Sequence, residues 1–298
     1  MIFENLETMP HTLGNKHKAP CTHQRRRSNM MLNPLNLTHL NRIDAHPADM
    51  ITLNLEDAIA PSRKKEALEN IVHFLSYLEE SKSFIIVRTN PLHEGGAEEI
   101  AFLNDFGFDA IRLAKVKTQT EIAQALTLLS PEKELHISLE TKEAFQTLST
   151  LRIDTRLTTA NLGILDLLTS LGLPQSLLTP DNPTIHYILS KFLVDAKTAG
   201  IHPISFMFQA YQDTQGFTQW CQQEKQMGFE SKACMGPKQV AIANEIFQTN
   251  QAQLQKALHI KKAFEAHATQ ANHGFMDEKY GFIDEPIYRD ALLILAQS

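Results

Sequence analysis

The chain lacks most of what would mark a secreted, membrane-spanning or nucleic-acid-binding protein. Only three of its 298 residues are cysteines, Cys21, Cys221 and Cys234. Their spacing fits neither a disulfide framework nor a metal knuckle, so a reducing compartment is the simpler inference. No apolar run approaches the roughly 20 residues that cross a bilayer, and none is flanked like a signal peptide. Positive charge is in the minority, 28 Lys and Arg against 34 Asp and Glu, which argues against nucleic-acid binding through a basic surface. The thirteen histidines show no metal-ligand spacing, and His136 and His202, beside strand candidates, read as satisfied structural side chains. A soluble cytoplasmic protein is expected.

What the sequence does contain is a regular alternation. Residues 1–27 are polar and basic with little periodicity, so a disordered or loosely packed tail is expected there, and Glu4 and Glu7 spoil an organellar-targeting reading. Strand candidates then recur as NMMLN (29–33), MITLNL (50–55), FIIV (84–87), FDAIRLAKV (108–116), HISL (136–139), ANLG (160–163), HPISFMFQAY (202–211) and MGFESKACM (227–235). Most are separated by helical patterns: one begins at Pro61 and carries Ala67, Leu68, Ile71 and Phe74 on one face, one closes at Gly107, and one stops at Gly200. Eight strands alternating with helices predict an α/β protein, a (β/α)8 TIM barrel over 28–247. Residues 248–298, with a hairpin around DEKYG and a last helix, exceed what barrel closure needs and are expected to form a C-terminal helical arm reaching a neighbouring subunit.

The stretch from His136 to Leu167 organises the chemistry. It places one carboxylate just past each of two neighbouring strands, Glu140 after HISL and Asp166 after ANLG. Groups at the carboxyl ends of parallel strands converge on one pocket, and two carboxylates with water and substrate suit Mg²⁺. Acids in such loops also serve simply as helix caps. Glu56 and Asp57 end MITLNL in the same way, with complementation of a helix macrodipole as their structural reading. Arg88 stands at the tip of the third strand, where its planar fork suits a carboxylate, phosphate or enolate oxygen, or a salt bridge to Glu56 or Asp57. Lys115 ends the fourth strand and can line the pocket or pair with a carboxylate. Cys234, without a nearby base in sequence, reads as a buried thiol.

In order along the chain, LNLEDAIAPSRK, IIVRTN, IRLAKV, ISLET, NLGILDL, GFESKACMGPKQV and GFIDEPIYRDA resemble the citrate lyase β-subunit group of the HpcH/HpaI aldolase superfamily, which also holds malyl-CoA and citramalyl-CoA lyases. The resemblance runs from about residue 27 to the C-terminus. It implies a Mg²⁺-dependent carbon–carbon lyase or aldolase that cleaves or forms a bond beside a carbonyl through a metal-stabilised enolate. The implied substrate is a small carboxylic acid or its acyl-CoA thioester, citryl-, malyl- or citramalyl-CoA-like. Glu140 and Asp166 are implied as metal ligands, Arg88 on the substrate's oxygens, Glu56 and Asp57 near the metal's waters, and Asp284 of GFIDEP as an acid presented to a neighbouring subunit of a homo-oligomer, often a trimer. Lys115 and Pro34 complete the expected substrate contacts.

Several positions depart from the group's pattern. Pro34 is followed by Leu35 and Asn36 where Pro-Gly-Asn is common near the CoA site. Ala114 replaces a proline before Lys115, Ser205 an aspartate, Ser231 the glycine before Lys232, and Gly236 a histidine. A free oxoacid therefore stands beside the thioester as substrate. A non-catalytic or regulatory paralogue that keeps the barrel and ligand binding is the second reading.

Overall fold

The computed structural model describes residues 12–15, 18–19, 21, 25–268 and 274–296. Two compact units follow one another, Met1–Ile246 and Phe247–Ser298.

The first unit holds eight strands: β1 (Ser28–Leu32), β2 (Met50–Asn54), β3 (Phe84–Thr89), β4 (Ala110–Leu113), β5 (Glu134–Leu139), β6 (Leu157–Leu162), β7 (His202–Ile204) and β8 (Lys232–Cys234). They form one sheet in the order β7-β6-β5-β4-β3-β2-β1-β8, with all paired neighbours parallel. A parallel bridge between Ser205 and Lys232 joins the two outer strands. There the Ser205 N–H donates to the Ser231 carbonyl at 3.1 Å and the Ala233 N–H to the Ser205 carbonyl at 3.0 Å, so the sheet closes on itself as a (β/α)8 barrel.

The strands read as continuous apolar runs because both faces are covered: every residue of FIIVRT in β3 is buried. Around them lie α1 (Leu37–Leu40), α2 (Lys64–Tyr77), α3 (Ala97–Leu103), α4 (Gln119–Leu128), α5 (Lys142–Thr147), α6 (Ile164–Ser170), α7 (Pro183–Ala199), α8 (Thr214–Met227) and α9 (Pro237–Ile246). Helix α2 buries Ala67, Ile71 and Phe74 of the face its apolar spacing selected and adds Leu75, while Leu68 stays half-buried, and each large side chain so buried contributes about 1.5–3 kcal/mol. Helix boundaries follow local chemistry. Thr118 and Glu121 form a reciprocal capping box on α4, Asn182 caps α7 ahead of Pro183, and Gly200 ends α7 in the left-handed conformation at φ 70°. Gly107 does not play that part. Helix α3 stops at Leu103 with Asn104 as its cap, and Gly107 packs so closely on the Lys18 backbone that a Cβ there would meet its nitrogen at 2.1 Å.

The described residues of the expected tail are also not loose. Lys18 is buried and pairs with Asp109 at 2.9 Å, Arg26 with Glu134 at 2.8 Å, and Arg27 with Asp49 at 2.8 Å. All three acids sit at or just before strand starts, so these cations fasten the segment to the amino ends of the barrel strands. The rest of the tail lies outside the described residues.

The second unit contains α10 (Gln251–Ala268), the antiparallel pair β9 (Gly274–Asp277) and β10 (Gly281–Asp284), and α11 (Glu285–Ala296). Ala257, Ile260, Phe264, Ile283 and Ala291 form its core. The turn between the strands has Gly281 at φ 76°, a conformation that favours a residue without Cβ. No helix among the described residues is long and apolar enough to cross a membrane.

Candidate active site

Strand periodicity decides what faces the barrel interior. Successive side chains alternate, and in-register neighbours point the same way. Met50, Phe84, Ile86, Ala110, Ile204 and Ala233 make an apolar interior cluster. Toward the carboxyl ends the inward positions turn polar. Asn54, Arg88 and Arg112 lie side by side on β2, β3 and β4, with Ser138 on β5 and Asn161 on β6. A cavity of about 400 Å³ opens above them, lined among others by Asn54, Asp57, Arg88, Arg112, Glu140, Asn161 and Asp166.

Arg88 is the hub. Its Nη2 lies 2.8 Å from Glu56 Oε2 and 3.3 Å from Glu140 Oε1. Lys115 closes the circuit from the next strand. Its Nζ is 2.8 Å from Glu56 Oε1 and 2.9 Å from Asp57 Oδ1, while its backbone N–H donates to Glu140 Oε1 at 2.8 Å. Lys115 makes these contacts with φ at +49°, the one non-glycine residue in the left-handed region among the described residues. Such strain collects at functional sites. Thr141 donates its hydroxyl to the Val116 carbonyl at 2.7 Å and caps α5, which fixes the backbone beside Glu140. Gly163 touches Glu140 from the other side: a Cβ there would stand 2.5 Å from Oε2.

Electrostatics divide the acids. Burial pushes the Glu56 carboxyl up against the opposing charge of Arg88. At Asp57 burial acts the same way, but hydrogen bonds with Glu56 and Lys115 outweigh it and the pKa falls. Adjacent acids pushed apart in this way suit proton transfer. Burial works against the Lys115 ammonium, yet its bonds to Glu56 and Asp57 dominate and hold it protonated, which leaves no free amine for a Schiff base. Asp166, on the first turn of α6, is raised by burial and then by the charges of Glu140 and Asp57. It forms no ion pair among the described residues. Glu140 and Asp166 thus offer hard oxygen donors from consecutive βα units to one hollow where negative charge is crowded, and this donor set fits a divalent cation. No group of three or more His, Cys, Asp or Glu side chains able to hold a metal occurs among the described residues, so water and substrate would complete the shell.

Five of the expected residues, Glu56, Asp57, Arg88, Lys115 and Glu140, form one network, and Asp166 faces the same cavity. Pro34 departs from expectation. It is buried, its carbonyl accepts from Asn70 Nδ2 at 3.0 Å, and its neighbour Asn33 is the residue that lines the cavity. Asp284 ends β10 in the second unit, where its Oδ1 accepts the Ile287 N–H at 3.2 Å. His202 bonds Ser231 Oγ at 2.6 Å as a structural side chain would, whereas His136, fully buried beside Glu134, leaves its Nδ1 without a partner and so is not the fully satisfied side chain expected. Burial holds the Cys234 thiol well above its ordinary range. Arg112, Ser138, Asn161 and Gly163 escaped the sequence reading. Only strand parity could have flagged Arg112, a charge in the inward register of an apolar strand.

Known proteins resemble this chain along most of its length. The profile of the family described as HpcH/HpaI aldolase/citrate lyase matches residues 27–237. A (3S)-malyl-CoA thioesterase of Cereibacter sphaeroides is 29% identical over 227 residues, 76% of this chain and 78% of that protein. The citrate lyase subunit beta of Escherichia coli is 24% identical over 285 residues, 92% of this chain and 93% of that protein. Among solved structures, the protein CitE of Mycobacterium tuberculosis, in complex with magnesium, acetoacetate and coenzyme A, superposes with a TM-score of 0.70 at 17% identity, covering 92% of this chain and 98% of that one.

Proposed function

Because the chain belongs to the HpcH/HpaI aldolase/citrate lyase family, we propose that it is a Mg²⁺-dependent carbon–carbon lyase acting beside a carbonyl on a small 2-oxo or 2-hydroxy acid or its CoA thioester. The observation that carries this reading is the mouth network: Arg88 bridges Glu56 and Glu140 on the cavity that Asp166 also faces.

Cleavage next to a carbonyl leaves an enolate whose oxygen needs stabilisation at neutral pH. Glu140 and Asp166 would hold the magnesium ion, which when bound would supply Lewis-acid stabilisation of developing negative charge. Arg88, anchored by two carboxylates in the cavity wall, orients the substrate's oxygens without reorganising during reaction. Lys115 holds Glu56 and Asp57 through its ammonium and the Glu140 carboxylate through its backbone N–H. Glu56 and Asp57, with pKa values pushed in opposite directions, exchange protons with water at the site. Asp284 serves as the proton-transfer acid of a neighbouring copy in a homo-oligomer.

The test is product analysis. Malyl-, citramalyl- and citryl-CoA are incubated with and without Mg²⁺, alongside free 2-oxo acids. Appearance of an oxo acid together with acetyl-CoA, dependent on Mg²⁺, supports the lyase. The thioesterase among the relatives makes hydrolysis the second reading, and release of free CoA with the hydroxy acid intact would establish it. No turnover of any kind would leave a non-catalytic paralogue. The role in trans of Asp284 has its own readout: mixing inactive Asp284→Ala and Arg88→Ala proteins restores activity if each site draws on two copies, and restores none if it does not.

A further inference from the structure

Two loops flank Arg88, and one buried side chain outside the cavity holds both. The β2–α2 loop runs from Leu55 to Lys64, the first residue of α2, and carries Glu56 and Asp57. The β3–α3 loop begins at Asn90, two residues after Arg88, and leads to Glu99 in the first turn of α3. Asn90 is 2% exposed. Its Nδ2 donates to the Leu55 carbonyl at 3.4 Å, at one end of the β2–α2 loop, and its Oδ1 accepts from Lys64 Nζ at the other. The second loop closes on the same residue: Glu99 Oε2 accepts the Asn90 N–H at 2.8 Å, and Glu99 Oε1 accepts from Nδ2.

The residue types are specific to this task. Position 90 must donate twice and accept once from its side chain, which an amide does and a carboxylate does not. Position 99 must accept two N–H donors side by side, which suits a carboxylate and not an amide. Gly96 lets the second loop fold tightly over the first of these residues, since a Cβ there would stand 2.3 Å from the Asn90 carbonyl oxygen. The Leu55 N–H also donates to the Arg88 carbonyl at 2.9 Å. The bonds of Asn90 therefore carry the pairing of β2 and β3 past the strand ends, to the point where Glu56 meets Arg88 at 2.8 Å. Asn90, Glu99 and Lys64 do not line the cavity themselves.

We propose that Asn90 is a positioning residue of the mouth network: supported by Glu99 and Lys64, it ties both loops shut and so fixes Glu56 against Arg88 before substrate arrives. It acts only through the residues it holds. Its effect on turnover rests on the lyase reading above, whereas its hold on the loop from Leu55 to Lys64 does not. A catalytic group displaced by about 1 Å loses about 10²-fold in rate, so a tie remote from the reacting atoms has a kinetic consequence. The amides of the loop report its order directly, because the Asp57 N–H donates to Glu56 Oε2 at 2.7 Å and the Ile59 N–H to the Glu56 carbonyl at 2.9 Å.

The test joins amide hydrogen exchange to kinetics on the full chain with Mg²⁺ and the thioester panel above. Asn90→Asp sets an oxygen against Glu99, and Glu99→Gln sets an N–H against Asn90; together they exchange amide and carboxylate and restore the pair. Each single variant is expected to speed exchange of the Asp57 and Ile59 amides about ten-fold, to leave that of β3 unchanged, and to cut kcat by about 10–100-fold with KM nearly constant. The double variant should recover most of both losses. Lys64→Met removes one tie from the half-buried start of α2 and should act in the same direction more weakly, which decides the matter if Asn90→Asp does not fold. Unchanged loop exchange in the variants that fold overturns the proposal. So does a loosened loop with undiminished kcat, or a double variant no better than the singles. If the wild type turns over nothing, the lyase reading falls, and exchange alone decides whether Asn90 holds the loop.

Discussion

The two ends of the barrel are built from the same residue types and do opposite things. At the amino ends of the strands each acid has its own cation: Asp49 with Arg27, Asp109 with Lys18, Glu134 with Arg26. Burial alone would raise Glu134, but bonds to His136 and the charge of Arg26 pull it down to about 2. The larger hollow, about 720 Å³, lies at this end and is lined by Lys18, Asp109 and Glu134, all in closed pairs. At the carboxyl ends the hollow is smaller, yet among the described residues Asp166 and Arg112 form no ion pair, and Arg88 is shared between two acids. Closed pairing marks a fastening, and unfinished pairing marks a place prepared for a ligand.

That contrast can be broken most forcefully at the base. Asp109→Ala would leave Lys18 buried without its partner and strip the Ile85 N–H of its 2.7 Å acceptor. The expected loss is about 3–5 kcal/mol in denaturant unfolding, with kcat per folded molecule unchanged. Glu140→Ala at the mouth should weigh the other way, cutting kcat by about 10²–10³-fold with a smaller loss of Tm than Asp109→Ala, because Arg88 keeps Glu56 as its partner. A base variant that impaired chemistry, or a mouth variant that unfolded the chain, would erase the distinction.

Acid sharpens it next. Burial depresses His136 to about 4, against the partial help of Glu134, and His202 to about 3. Both are lower than in the unfolded chain, near 6.5. The unfolded state therefore takes up protons first as pH drops, and stability present above about pH 6.5 is lost progressively down to pH 3–4. Between pH 7 and pH 5 the loss should be about 2–4 kcal/mol, read as a lower urea midpoint. The smallest expected effect is Gly163→Ala. Its φ of −89° tolerates alanine, but the new Cβ would press on Glu140 Oε2. Mg²⁺ affinity should fall about 10–100-fold with Tm nearly unchanged.

Much of this was legible in the sequence, for identifiable reasons. The eight strands announced themselves because a parallel barrel buries both strand faces and so writes continuous apolar runs. Glu56, Asp57, Arg88, Lys115, Glu140 and Asp166 were legible because they follow or end those runs. Arg112 was not, since one charge inside AIRL reads as noise until strand register sets it beside Arg88. The amino-terminal cations read as a loose tail because their partners Asp49, Asp109 and Glu134 are distant in sequence and meet them only through the closed barrel. Pro34 drew attention from its family position, whereas the chain path presents Asn33 to the cavity instead.

The account depends on the crowded acids of the mouth being a cation site. Calorimetric titration of the metal-free protein with Mg²⁺ tests this directly. One site per chain in the wild type, absent from both Glu140→Ala and Asp166→Ala, is the predicted result. No binding to the wild type, or undiminished binding to either variant, would contradict it.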